Sequence, residues 1–394
     1  MILIKNADIY APEPIGVQDI LICDSKIIAI GKNLIEDAFK FNNLDVKIIE
    51  ANNNIVLPAY IDQHVHIIGG GGEDGFYSRT PEVMLSSIIK AGIATIIGVL
   101  GTDGTTRHIE SLLAKARGLE QEGISTYILT GSYEIPLVTI TGDPRKDIIL
   151  IDKIIGIGEV AISDHRSSSP TLDELKRIST QARLGGMLSG KAGVIQFHVG
   201  SGKDGIKSLF RILEETEIPP HHFIPTHINR NIDLLKQGIE FTKKGGYIDL
   251  TSGIRPSSLE ERQTKLTPAR AIRICQEENA NMDLITMTSD GNGSMATYDK
   301  KGQVIKMEVA NMNSLHEEVK SAILDENMSK EDVFAICTKN PAKANGLYPQ
   351  KGAIRVGSNA DILFLDNNLD INSVMAMGKL MMKDNEVLVK GAFE

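Results

Sequence analysis

The chain has 394 residues, 42% hydrophobic and 24% charged, with a formal net charge of -9. This is an ordinary globular composition with material for a large core, and its acidity argues against non-specific binding to nucleic acid or anionic membrane. Cys23, Cys275 and Cys337 form no CxxC pattern, the opening Met1–Asn6 is too short for a signal-peptide core, and no apolar run nears the ~20 residues that span a bilayer, so a cytoplasmic protein with no membrane or nucleic-acid partner is expected.

Residues 1–54 alternate like β-strands, at 2–4, 19–22 and 26–31, with turn residues between them. From residue 55 the pattern changes. Short, apolar, β-branched runs occupy 55–66, 93–102, 125–133, 154–163, 194–198, 223–227, 247–250 and 284–289. Helical stretches at 81–90, 106–122, 171–188, 207–215 and 268–278 separate most of them. Short strands return at 361–365, 373–377 and 386–389. Strands alternating with helices predict parallel β-structure, and eight such units predict an α/β fold: a (β/α)8 TIM barrel over 55–344. The alternative is a doubly wound open sheet. Residues 1–54 and 345–394 are expected to pair into a small β-sandwich domain.

Barrel enzymes carry their chemistry at the C-terminal ends of the strands, and there this chain concentrates ionisable groups. The first strand ends in Ile61-Asp62-Gln63-His64-Val65-His66, where residues two apart point to the same side. The fourth carries Glu159 and runs into Ser163-Asp164-His165-Arg166. The fifth ends in His198, the sixth in His227 and the eighth in Ser289-Asp290-Gly291. Imidazoles and carboxylates in one site suit one or two divalent metals, zinc first. Water on such an ion has a pKa of about 7, and two ions roughly 3.5–4 Å apart can share it and polarise a carbonyl. Asp290 beside it can take the proton and deliver it to a leaving amine. The plan is that of an amide hydrolase.

Pro58-Ala59-Tyr60-Ile61-Asp62-Gln63-His64-Val65-His66 resembles the first-strand signature of the amidohydrolase superfamily. The longer string through Gly69-Gly70-Gly71-Gly72-Glu73 is more specific. Together with Ser163–Ser167, Pro225-Thr226-His227-Ile228-Asn229-Arg230 and Ser289–Ser294, it resembles the isoaspartyl (β-aspartyl) dipeptidase family over nearly the whole chain. The resemblance implies a metal-dependent homo-oligomer that cleaves the bond from an aspartyl side-chain carboxyl to the next residue of a dipeptide. His64, His66 and Asp290 match the ligands of one metal, and His198 and His227 those of the second. Glu73 matches the residue that holds the substrate ammonium. Gly71, Thr102 and Ser294 match positions that hold the aspartyl carboxylate, Arg166 and Arg230 those for the other carboxylate. Tyr133 matches the hydroxyl that polarises the scissile carbonyl. The chemistry agrees, since Arg binds carboxylate bidentately and a phenol can stabilise an oxyanion.

One position departs from the family. Its carboxylated lysine would fall at Glu159, which forms no carbamate but is already a bidentate anionic ligand. Two zinc ions per chain with Glu159 as the bridge are expected; the alternative is that Glu159 binds one ion and leaves a weakened second site. Lys153 lies before the strand and is expected in solvent, as are His221 and His222. His165 is expected to orient its loop, Asp103 to cap a helix, and His108 and His316 to sit on helices with no partner nearby in sequence. Gly156-x-Gly158-x-x-Ala161 mimics a dinucleotide fingerprint without the required helix. A cyclic-amide or N-acyl amino acid hydrolase, or a non-enzymatic scaffold of the same fold, are the competing functions.

Overall fold

The computed structural model describes residues 1–34, 46–254, 266–298 and 304–394. Eight parallel strands form its centre: β1 (Tyr60–Val65), β2 (Ile93–Gly98), β3 (Ser125–Thr130), β4 (Ile154–Ile162), β5 (Val194–Val199), β6 (Phe223–Thr226), β7 (Ile248–Thr251) and β8 (Ile285–Thr288). Of their residues only Tyr127 is not buried. Helices cover the outer face, so these strands read as continuous apolar runs rather than alternating ones. Each fully buried Ile, Leu or Val contributes about 1.5–3 kcal/mol.

Strands β1 to β6 form one parallel ladder in chain order, and β7 pairs with β8 in a second. A parallel bridge between Val65 and Gly291, with the His66 N–H donating to the Gly291 carbonyl at 2.9 Å, returns the end of β8 to the end of β1. The sheet thus curls back to its first strand, as the barrel expectation requires.

Helices Leu85–Lys90, Ile109–Glu122, Leu172–Ser189, Lys207–Glu215 and Pro268–Glu277 fall where periodicity placed them. The longest starts on a capping box: Thr171 Oγ1 accepts from the Glu174 N–H, and Glu174 accepts from the Thr171 N–H. Pro144–Leu150 and Ile232–Lys243 were not anticipated. The first is a short helix capped by Asp143, and the second begins on the Asn231 cap and contains Gly238.

The chain ends do meet, in one continuous nine-stranded sheet rather than two separate ones. It joins Ile2–Tyr10, Pro14–Cys23, Lys26–Gly31, Lys47–Glu50 and Ile55–Pro58 to Ile362–Leu365, Ile371–Ala376, Lys379–Lys383 and Glu386–Val387. The strand expected over 55–66 is therefore two. Ile55–Pro58 pairs with Ile362–Leu365, and the chain then crosses over: Ala59 N–H donates to Asp361 O and Tyr60 N–H to Gly92 O, each at 3.0 Å. An unanticipated antiparallel pair, Ser294–Tyr298 with Val304–Val309, follows β8. No helix among the described residues is long and apolar enough to cross a membrane.

Candidate metal centre and substrate cavity

The expected ligands converge at one end of the barrel. His64 lies in β1 and His66 just beyond it, Glu159 is in β4, and His198 is in β5. His227 follows β6 directly and Asp290 lies two residues past β8, both with left-handed backbone (φ 64° and 54°). Few non-glycine residues adopt it, and surroundings that enforce it are common at functional sites.

Glu159 is fully buried at the centre of the group. Its Oε1 lies 3.3 Å from His64 Nε2 and 3.7 Å from His66 Nε2, and Asp290 Oδ1 closes that side at 3.5 and 3.1 Å from the same two nitrogens. Its Oε2 faces the other way, 3.2 Å from His198 Nδ1 and 3.8 Å from His227 Nε2. His64, His66 and Asp290 form one set that could hold an ion; His64, Glu159 and His227 form another. His64 Nε2 and Glu159 Oε1 are buried and make no hydrogen bond among the described residues. Leaving such atoms unsatisfied is costly, and a divalent cation between them would satisfy both. The donor set, imidazole plus carboxylate, suits zinc.

Three residues without an assigned role orient these ligands. Gln196 Oε1 is 2.9 Å from His64 Nδ1, and Thr251 Oγ1 is 2.7 Å from His227 Nδ1. Asp164 Oδ2 lies 3.0 Å from His198 Nε2 while it grips Arg166 through two hydrogen bonds of 2.9 Å. Partners of this kind fix ring orientation and tune a metal site. Gln196 was detectable, two residues before His198 on the same strand face; Thr251 carried no signal.

Above the ligands is a cavity of about 130 Å³ lined by His66, Gly71, Glu73, Thr102, Tyr133, Arg166, His198, His227, Arg230, Asp290 and Ser294. Of the thirteen site residues named from sequence, only His64 and Glu159 lie behind this lining. Glu73 is held by Arg166 Nη1 at 3.2 Å and by the Ser294 hydroxyl at 2.9 Å. Tyr133 OH is 2.7 Å from His198 Nδ1. Arg230 Nε donates to the Val199 carbonyl at 2.8 Å. Thr102 Oγ1 is buried and has no hydrogen-bond partner among the described residues.

Glycines let backbone close on the site. Gly71 has φ +78°, and a Cβ there would lie 2.4 Å from the Ser78 carbonyl oxygen. A Cβ on Gly101 or Gly293 would come within 2.9 or 2.8 Å of the His66 ring. Arg107, 8% exposed, ties the glycine loop down by donating to the carbonyls of Ile68, Gly70 and Thr80.

Charge is strongly organised here. Burial opposes ionisation of Glu159, but His64 and His198 hold it well below the usual carboxylate range. Asp290 is held low against burial by His66, His227 and His64. Burial and the charge of Glu159 push the Tyr133 phenol well up, so it stays neutral and can donate.

Several expectations for other residues are corrected. Lys153 is buried, 6% exposed, and pairs with Glu120 and the Thr126 carbonyl. His222 is buried, its Nδ1 3.0 Å from Gly193 O. His316 does lie on a helix, and its partners are distant in sequence: Tyr60 OH at 3.0 Å and Leu369 O at 2.8 Å. Asp103 accepts from the Thr105 and Thr106 N–H groups and from Arg79 rather than capping the helix that begins at Ile109. Gly156, Gly158 and Ala161 all lie within β4.

Residues 55–381 match the model of the amidohydrolase family. Across 98% of both chains this chain is 44% identical to β-aspartyl dipeptidase from Fervidobacterium islandicum AW-1, solved in complex with a β-Asp-Leu dipeptide, with a TM-score of 0.88. Dihydropyrimidinase from Brevibacillus agri is 16% identical with a TM-score of 0.69 over 99% of this chain and 96% of that one, a likeness of fold alone. L-hydantoinase from Paenarthrobacter aurescens is 23% identical over 94% of this chain and 86% of its own length. A barrel with this ligand set, matched end to end at that identity, places the chain in the amidohydrolase superfamily, a group of metal-dependent hydrolases, and within it in the family of β-aspartyl dipeptidases.

Proposed function

We propose that the chain hydrolyses β-aspartyl dipeptides at a two-zinc centre bridged by Glu159. The observation that carries the proposal is the pairing of that centre with a charged cavity. Glu73 faces Arg166 at 3.2 Å, and Arg230 lines the same wall. A β-aspartyl dipeptide brings one ammonium and two carboxylates. Its ammonium replaces Arg166 as the partner of Glu73, and the freed Arg166 joins Arg230 on the carboxylate of the leaving residue. Thr102, Ser294 and the Gly71 backbone serve the aspartyl carboxylate.

His64, His66 and Asp290 would hold one ion, His198 and His227 the other, with one Glu159 oxygen toward each. Bound there, the ions supply Lewis acidity and ionise water near neutral pH. The neutral Tyr133 hydroxyl donates to the oxygen that becomes negative as the scissile carbonyl is attacked. Asp290 takes the proton of the attacking water and passes it to the leaving amine. The cation–carboxylate clamp aligns the dipeptide, so that attack becomes effectively intramolecular.

The test is hydrolysis by the zinc-loaded protein of β-Asp-Leu, α-Asp-Leu, a hydantoin and an N-acetyl amino acid. Turnover of β-Asp-Leu alone is expected. Cleavage of the hydantoin with β-Asp-Leu untouched would overturn the proposal in favour of a cyclic-amide hydrolase.

A further inference from the structure

We propose that Asp249, on β7 and remote from the substrate cavity, is a positioning residue for the metal centre. This inference rests on the metal-dependent reading above. The barrel wall has two interruptions among the described residues. No backbone ladder joins β6 to β7, and β8 meets β1 only through the bridge Val65–Gly291. The ligands sit on both sides of these gaps: His64 and His66 at β1, His227 at β6, Asp290 at β8. Backbone pairing therefore links β6 to β1 only the long way round the ladder, and β8 to β1 only at that single bridge.

Asp249 spans both gaps. Its side chain is fully buried. Oδ1 accepts from Gln63 Nε2 at 3.0 Å and from Thr286 Oγ1 at 2.7 Å. Oδ2 accepts from Thr226 Oγ1 at 2.6 Å and from Thr288 Oγ1 at 2.9 Å. The donors come from β1, β6 and β8, and three of the four lie within two residues of an expected ligand: Gln63 precedes His64, Thr226 precedes His227, and Thr288 stands two before Asp290. The Gln63 amide is itself fixed, because its Oε1 accepts from Asn345 Nδ2 at 2.7 Å. Four donors on two oxygens suit a carboxylate, which only accepts. An amide in its place would turn an NH2 group toward two of those donors. In a low-dielectric interior such a network is strong when complete and costly when one member is wrong.

The test compares wild-type protein with Asp249→Asn, Thr226→Val, Thr288→Val and the conservative Thr288→Ser. Zinc affinity is measured by competition with a chromophoric chelator, alongside unfolding of the metal-free proteins and kcat and KM for β-Asp-Leu. Asp249→Asn is expected to weaken zinc binding about tenfold or more, and to lower kcat in a manner restored by excess zinc. Thr288→Val is expected to weaken one zinc equivalent while metal-free unfolding stays near wild type, and Thr288→Ser to restore it. Thr226→Val is expected to weaken the other. If all variants bind both zinc ions within twofold of wild type, whatever their unfolding temperature, the proposal is overturned. Should Asp249→Asn fail to fold, the threonine variants decide by the same criterion. Wild-type protein that binds zinc but leaves β-Asp-Leu intact would contradict the dipeptidase reading alone, because the affinity comparison still decides the role of Asp249.

Discussion

At Glu159 a side chain shorter than a lysine carbamate meets two pairs of imidazoles, because each of its oxygens faces a different pair. Zinc–oxygen bonds of about 2.0–2.2 Å need a ligand oxygen on each side, and a carboxylate supplies two. Glu159→Gln keeps the size but loses the charge. It is predicted to lower bound zinc from two per chain to one or fewer, measured by metal analysis, with kcat down by about a hundredfold or more. Added bicarbonate is predicted to leave wild-type activity unchanged, since Glu159 stands where the lysine to be carboxylated would be. Arg230→Met removes a cation from the proposed carboxylate clamp and is predicted to raise KM for β-Asp-Leu about 10–100-fold, from about 1.5–3 kcal/mol per charge-assisted bond. The imidazoles and Asp290 were legible because alternation on a strand and position at a strand tip are sequence properties. Thr251 and Asp164 were not, because each acts on a histidine of a neighbouring strand, and such adjacency exists only after folding.

Among the elements, helix Ser314–Leu324 carries the buried His316, which lies 3.0 Å from Tyr60 OH in β1 and 2.8 Å from Leu369 O near the C-terminal strands. Burial pushes its imidazole down to about 4, from an ordinary value of 6.5. Below pH 6.5 the unfolded chain takes up a proton that the folded chain refuses until about pH 4. Stability is therefore predicted to fall with pH across that window, by about 3 kcal/mol at most from this one group. Denaturant unfolding at pH 7 and pH 4.5 checks this, and His316→Gln should flatten the difference. The break between Ile55–Pro58 and β1 shows why element boundaries were harder to read than elements. Residues 55–61 are apolar throughout, and only the hydrogen bonds of Ala59 and Tyr60 to Asp361 and Gly92 reveal two strands serving two sheets.

For the molecule as a whole, the barrel was legible because parallel strands buried on both faces leave long apolar runs. The joining of the chain ends was legible only as matching strand-like composition. Which strand pairs with which depends on residues some 300 positions apart, as in Leu57 with Leu363, and periodicity says nothing about such partners. Zinc held as proposed, between β1, β4, β5, β6 and β8, would tie much of the barrel together. Chelator-stripped protein is therefore predicted to unfold more easily, by about 4 kcal/mol where free zinc had stood at a thousand times its Kd, and calorimetry with and without zinc measures it. The most direct test of the Glu159-bridged centre is anomalous diffraction at the zinc edge from crystals of the active enzyme. Two peaks per chain roughly 3.5–4 Å apart, one against each Glu159 oxygen, are the predicted result. A single peak, or two peaks with Glu159 touching only one, would contradict it.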